Sequence, residues 1–83
     1  MYYVYVLKSL KTNRYYIGST KDIDRRLKEH QSGFSRYTKS RGPWELIYKE
    51  EKVTLNEAEK REQFFKTGDG RRVLKKILGQ LAS

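Results

Sequence analysis

Apolar positions along this chain switch between a period of two and helical spacing, and the switches outline six elements. From Met1 to Leu7, Tyr3 and Tyr5 alternate with Val4 and Val6, so both faces are apolar enough to be covered, which predicts a central strand. Lys8 to Arg14 is a polar turn containing Asn13, short enough to join Tyr2–Lys8 to Arg14–Ser19 as an antiparallel hairpin. That pairing brings Tyr5 near Tyr16. The second strand, with Tyr15, Tyr16 and Ile17, closes at Gly18, where a bulge or a close approach to the backbone is expected. Ser19, Thr20 and Asp22 offer N-cap oxygens, and Ile23, Leu27 and His30 recur at helical spacing from Asp22 to His30 or Gln31, before Gly33 stops the helix.

Gln31 to Pro43 is a loop by composition. Trp44 to Glu51 reads as a third strand, with Trp44, Leu46 and Tyr48 alternating with Glu45, Ile47 and Lys49. Thr54 followed three residues later by Glu57 is a capping box, and the helix it opens, Leu55 to Lys66, has an apolar stripe at Leu55, Ala58 and Phe65 that is interrupted at Glu62. Thr67-Gly68-Asp69-Gly70 breaks the chain, with Gly68 as the C′ residue and Asp69 as the next cap. The last helix, Arg71 to Leu81, sets Val73, Leu74, Ile77, Leu78 and Leu81 against Arg71, Arg72, Lys75 and Lys76. The expected fold is a small α/β (α+β) domain over residues 1–83: a three-stranded antiparallel sheet flanked by helices, in the order β-β-α-β-α-α.

Charge adds a partner to this picture. Nineteen Lys and Arg face ten Asp and Glu, a net charge of +9 spread along the whole chain, so a polyanion, and nucleic acid first, is the expected partner. In the loop, Arg36, Lys39 and Arg41 interleave with Phe34 and Tyr37, a pattern suited to phosphate contact and base stacking. The chain has no cysteine and one histidine, which excludes a disulfide framework and argues against a zinc centre. No apolar run approaches the ~20 residues of a membrane span, and the N-terminal segment lacks signal-peptide features, so the chain reads as soluble and cytoplasmic.

Chemistry concentrates between Tyr15 and His30. Arg26 and His30 lie four apart on one helix face, within reach of the tyrosine strand. Glu62 faces inward or sits at the edge of an apolar stripe, where an isolated carboxylate costs several kcal/mol unless a cation or metal pairs with it. Together these residues resemble the GIY-YIG nuclease family, whose two strand motifs fall on Tyr3-Val4-Tyr5 and Tyr16-Ile17-Gly18. The second motif matches outright, whereas Tyr3 stands where the first has glycine. Arg26, His30 and Glu62 occupy the family's further positions, and the likeness extends across the chain to the small stand-alone members that resemble the catalytic domain of branched-DNA endonucleases. An asparagine that some relatives carry past the glutamate has no counterpart in Arg71–Leu78.

The resemblance implies metal-assisted hydrolysis of a DNA phosphodiester. Glu62 would hold Mg²⁺ or Mn²⁺, Arg26 would neutralise charge on the phosphate, Tyr5 or Tyr16 would orient and deprotonate water, and His30 would relay the proton or hold the tyrosine. Arg36, Tyr37, Lys39 and Arg41 would contact the nucleic acid. Larger relatives recruit separate DNA-binding domains, so a partner protein supplying substrate affinity is an expectation too. The alternative is a catalytically silent nucleic-acid-binding module of the same fold.

Overall fold

The computed structural model describes residues 1–31 and 42–82, with side chains as far as residue 80. The strands are β1 (Tyr2–Ser9), β2 (Tyr15–Thr20) and β3 (Trp44–Lys52), and the helices are α1 (Ile23–Gln31), α2 (Leu55–Phe65) and α3 (Gly68–Ala82). The sheet is antiparallel with the order β2-β1-β3, so β1, apolar on both faces, is central as its pattern demands.

Local chemistry sets the joints. Ser9 is fully buried, and its hydroxyl accepts from the Lys11 and Thr12 amides at 3.2 and 3.0 Å. Asn13 takes φ 60°, a left-handed conformation that asparagine tolerates better than most residues, and this closes the turn into β2. Asp22 caps α1 by accepting from the Arg25 amide at 3.1 Å, and Thr54 caps α2 by accepting from the Glu57 amide at 3.2 Å.

Alternation along β1 separates two cores. Val4 and Val6 pack with Ala58, Phe65 and Leu74 beneath α2 and α3. Tyr5 and Leu7 pack with Trp44 on the opposite face, where Ile23 and Leu27 of α1 lean against them. The Gln31 side chain ties the end of α1 to the start of β3: its amide nitrogen donates to the Trp44 carbonyl, and its oxygen accepts from the Trp44 amide at 2.9 Å.

Four expectations change. The β1–β3 register slips at Val6/Leu7, pairing Val6 with Tyr48 but Leu7 with Leu46, so Ile47 is an extra residue. The bulge sends Tyr48 to the α2 side, whereas Trp44 and Leu46 stay on the α1 side, so the three do not share one face. The last helix begins at Gly68, not Arg71, because Thr67 Oγ1 accepts from the Gly70 amide at 3.0 Å and so caps it. Asp69 therefore sits within the first turn, paired with Arg72, and Gly68 is not a C′ residue. Gly70 is where glycine is needed, since a Cβ there would collide with the Phe64 carbonyl. Leu55 and Val73 are 45% and 38% exposed, so the apolar stripes that include them are not buried along their whole length; Leu81 lies outside the described side chains.

Candidate active site

β2 is an edge strand, and its residues alternate between the two faces. Cross-strand pairing of Tyr5 with Gly18 and of Leu7 with Tyr16 puts both tyrosines on the α1 side. Their rings lie 6.3 Å apart between centroids and are inclined by 30°. Gly18 is what makes this fit: a Cβ there would stand 2.5 Å from Tyr5 Oη and 2.7 Å from Cζ. The close approach expected at this glycine is thus a phenol lying across its backbone.

His30 arrives from α1 and is almost fully buried. Its Nε2 is 3.1 Å from Tyr5 Oη, and its ring centroid is 4.5 Å from that of Tyr16. Burial first, and the Arg26 charge second, hold its pKa below the ordinary 6.5, so the ring is neutral at pH 7. A neutral imidazole with the proton on the other nitrogen accepts the Tyr5 hydroxyl at Nε2. Burial also pushes the Tyr5 phenol up to about 12; the Tyr16 phenol adds to that rise, Arg26 opposes it, and the Glu62 charge adds a smaller push.

Arg26 is only partly covered, and its Nη1 donates to Glu29 Oε2 at 3.1 Å. Glu29 first and Tyr5 second favour its charged form. Its Nε is buried without a hydrogen-bond partner, which is unusual for a charged group, because a lost partner costs about 1–3 kcal/mol.

Glu62 reaches the same edge of the sheet from the opposite layer. Ser19, the β2 residue after Gly18, donates to its Oε1 at 2.7 Å, and Lys66 donates to its Oε2 at 2.7 Å. The carboxylate that breaks the apolar stripe is therefore largely covered and paired with a cation, as its position requires. A recess of about 540 Å³ beside it is lined by Ser19, Asn56, Glu59, Lys60 and Gln63.

Among the described residues, no three acidic or imidazole side chains converge into a ready cage, so a cation here would rest on Glu62. Hydroxyl, amide and carboxylate oxygens of Ser19, Asn56, Gln63, Glu59 and Glu62 line the recess beside the Lys60 ammonium, a donor set that fits a hard cation keeping most of its waters. Lys66 is the competitor it would displace.

The structure thus brings together Tyr5, Tyr16, Arg26 and His30 on one side of the β2 edge, with Glu62 across it. Arg36, Tyr37, Lys39 and Arg41 lie outside the described residues. Three partners escaped the sequence reading: Ser19, read only as a cap, and Glu29 and Lys66. The last two carried a signal, since each stands three or four residues from its partner on the same helix. The contact of Ser19 with Glu62 spans 43 positions and had none.

The GIY-YIG catalytic domain family matches residues 1–75. A UPF0213 protein of Staphylococcus saprophyticus is 40% identical over 77 residues, covering 92% of this chain and 93% of its own. UPF0213 protein YazA of Bacillus subtilis is 42% identical over 66 residues, covering 78% of this chain and 66% of its own. The solution NMR structure of the UPF0213 protein BH0048 from Bacillus halodurans superposes with a TM-score of 0.55 at 34% identity, over 93% of this chain and 85% of that one. None of these names states an activity. Among the described residues, no helix is long and apolar enough to cross a membrane.

Proposed function

The chain belongs to the GIY-YIG family, and from that premise we propose that it is a divalent-metal-dependent endonuclease hydrolysing DNA phosphodiester bonds. The observation that carries this reading is the Arg26 Nε, a charged donor left without an acceptor beside the Tyr5 phenol and the His30 imidazole. A phosphoryl oxygen is the acceptor that completes it. The guanidinium then faces the charge that builds on the phosphate as the bond to water forms, which is where a fixed donor lowers the barrier most.

Tyr5 and Tyr16 divide the remaining work. Tyr5 is almost fully buried, bonded to His30, and resists ionisation up to about 12, so it stays protonated and holds the cluster in place. Tyr16 is half-buried and keeps contact with solvent, so it would orient the attacking water and take its proton after giving its own up to solvent. Glu62 would hold Mg²⁺ or Mn²⁺, with Ser19 steadying the carboxylate. Such a cation, when bound, supplies Lewis acidity to the phosphoryl and leaving oxygens.

The ion pair of Lys66 with Glu62 favours one competing reading, a nucleic-acid-binding module in which the ammonium stands permanently where a metal would bind. Cleavage of labelled duplex, flap and four-way-junction DNA with Mg²⁺ or Mn²⁺ separates the two. The nuclease reading expects cutting that falls by at least about a hundredfold in Glu62→Ala and in Arg26→Ala, with DNA binding retained. No cutting of any substrate, with binding indifferent to chelator, would establish the silent module.

A further inference from the structure

Away from the phenol cluster, a groove of about 690 Å³ runs between β2 and α3, within the ~300–1,000 Å³ range of ligand sites. Its floor is apolar, built by Ile17, Leu74 and Leu78, and Gly79 leaves it open on the α3 side. Its rim carries Arg14, Arg71 and Lys75, and no carboxylate lines it. These three cations take part in no ion pair among the described residues, whereas Arg25, Arg26, Arg61, Lys66 and Arg72 are each bound to a carboxylate. Tyr15, 48% exposed, stands at the same groove.

We propose that this groove binds an unpaired DNA strand flanking the cut, seating a base on its apolar floor against Tyr15 and its phosphates on Arg14, Arg71 and Lys75. Unpaired cations around an apolar floor with an exposed aromatic ring suit a polyanion that also offers flat faces for stacking, which an acidic peptide does not. A base stacked inside an intact duplex has no free face to lay on that floor.

The address fits the site. Tyr15, Ile17 and Ser19 alternate along β2 and so share the face that carries Glu62. At the strand rise, the groove residues Ile17 and Tyr15 lie roughly 7 and 13 Å along the backbone from Ser19, a distance that the next nucleotides of a bound strand cover. The proposal rests on the nuclease reading for this placement, and it selects substrates with a single-stranded segment beside the scissile bond.

The test is binding in chelator, so that cleavage plays no part. Fluorescence anisotropy of a dye-labelled single-stranded 12-mer and of a blunt duplex of the same length is compared for wild type and Gly79→Phe, which fills the groove from an exposed helix position with nothing within 4 Å. Single-strand affinity is expected to fall about tenfold while duplex affinity holds within about twofold. Arg71→Gln with Lys75→Gln, both at exposed positions, tests the same claim if the phenylalanine disturbs folding, and is expected to lower the single-strand salt slope by about 1.4. Unchanged single-strand binding, or equal losses for both DNAs, would overturn the groove, as would displacement of an acidic peptide rather than DNA. Groove-dependent binding by a chain that cuts nothing would leave the groove standing and remove the nuclease.

Discussion

β1 serves two layers that are built on opposite principles. On the α2–α3 side, Val4 and Val6 meet Ala58, Phe65 and Leu74, all at 4% exposure or less, an aliphatic and aromatic packing. On the α1 side, neighbouring residues of the same strand meet a buried histidine, a second tyrosine and a guanidinium with an unanswered nitrogen. Burying apolar surface stabilises at roughly 25 cal/mol per Å², whereas a buried hydrogen bond contributes only about 0.5–1.5 kcal/mol and a buried donor without a partner costs about 1–3 kcal/mol. The first layer is built by such packing, to which Leu7 and Trp44 add on the α1 side. The second also keeps a charged donor without a partner, an arrangement that folding alone does not favour and that the proposed site would use.

The largest effect should come from the packing layer. Phe65 is fully buried at the centre of that core, and Phe65→Ala is expected to cost about 3–5 kcal/mol, a large part of the about 5–15 kcal/mol available to a domain. Chemical denaturation measures it. A loss under about 1 kcal/mol would mean that the α1 side carries the fold, and the contrast between the layers would fail.

A smaller effect sharpens the contrast by pH. Each layer holds one phenol pushed up to about 12, mainly by burial: Tyr5 on the α1 side, and Tyr48 on the other, where it donates to Glu50. A folded-state pKa above the unfolded value of about 10 gives stability that is fully present below pH 10 and lost as pH rises towards 12. Wild type should therefore lose stability across that window, and Tyr5→Phe and Tyr48→Phe should each flatten the loss. At pH 7, Tyr5→Phe should cost about 1 kcal/mol through its lost bond to His30. Denaturation midpoints between pH 7 and 11.5 decide it; an alkaline loss that ignores both substitutions would place the titration elsewhere.

What the sequence made readable follows from how far each signal reaches. Period two over Tyr3–Val6, the glycine at Gly18 and the interruption at Glu62 are each local, and each predicted its element or its exception. The bulge at Ile47 left no local trace, because it depends on how β3 meets β1, and it moved Tyr48 to the other layer. The start of α3 was misread because two cap candidates stood two residues apart; Thr67 won because Gly70, three residues on, could press against the end of α2 without a side chain. Tyr5, Tyr16, Arg26, His30 and Glu62 could be named from spacing and resemblance. Their arrangement, four side chains on one face of the sheet and Glu62 brought around its edge by Ser19, could not.

The smallest stability effect belongs to Arg26. Arg26→Met keeps the length of the side chain and most of its apolar stem. It deletes the surface pair with Glu29, in which Arg26 is 40% exposed, a contribution of about 0.2–1 kcal/mol. It also deletes the buried Nε that has no partner, a change that stabilises by a similar or larger amount. The two nearly cancel, so unfolding free energy should stay within about 1 kcal/mol of wild type while DNA cleavage disappears. A structural arginine behaves in the opposite way, losing stability and activity together. If Arg26→Met instead costs more than about 2 kcal/mol, the unanswered nitrogen belongs to the framework of the α1 layer rather than to a phosphate, and the two faces of β1 are less different than their chemistry implies.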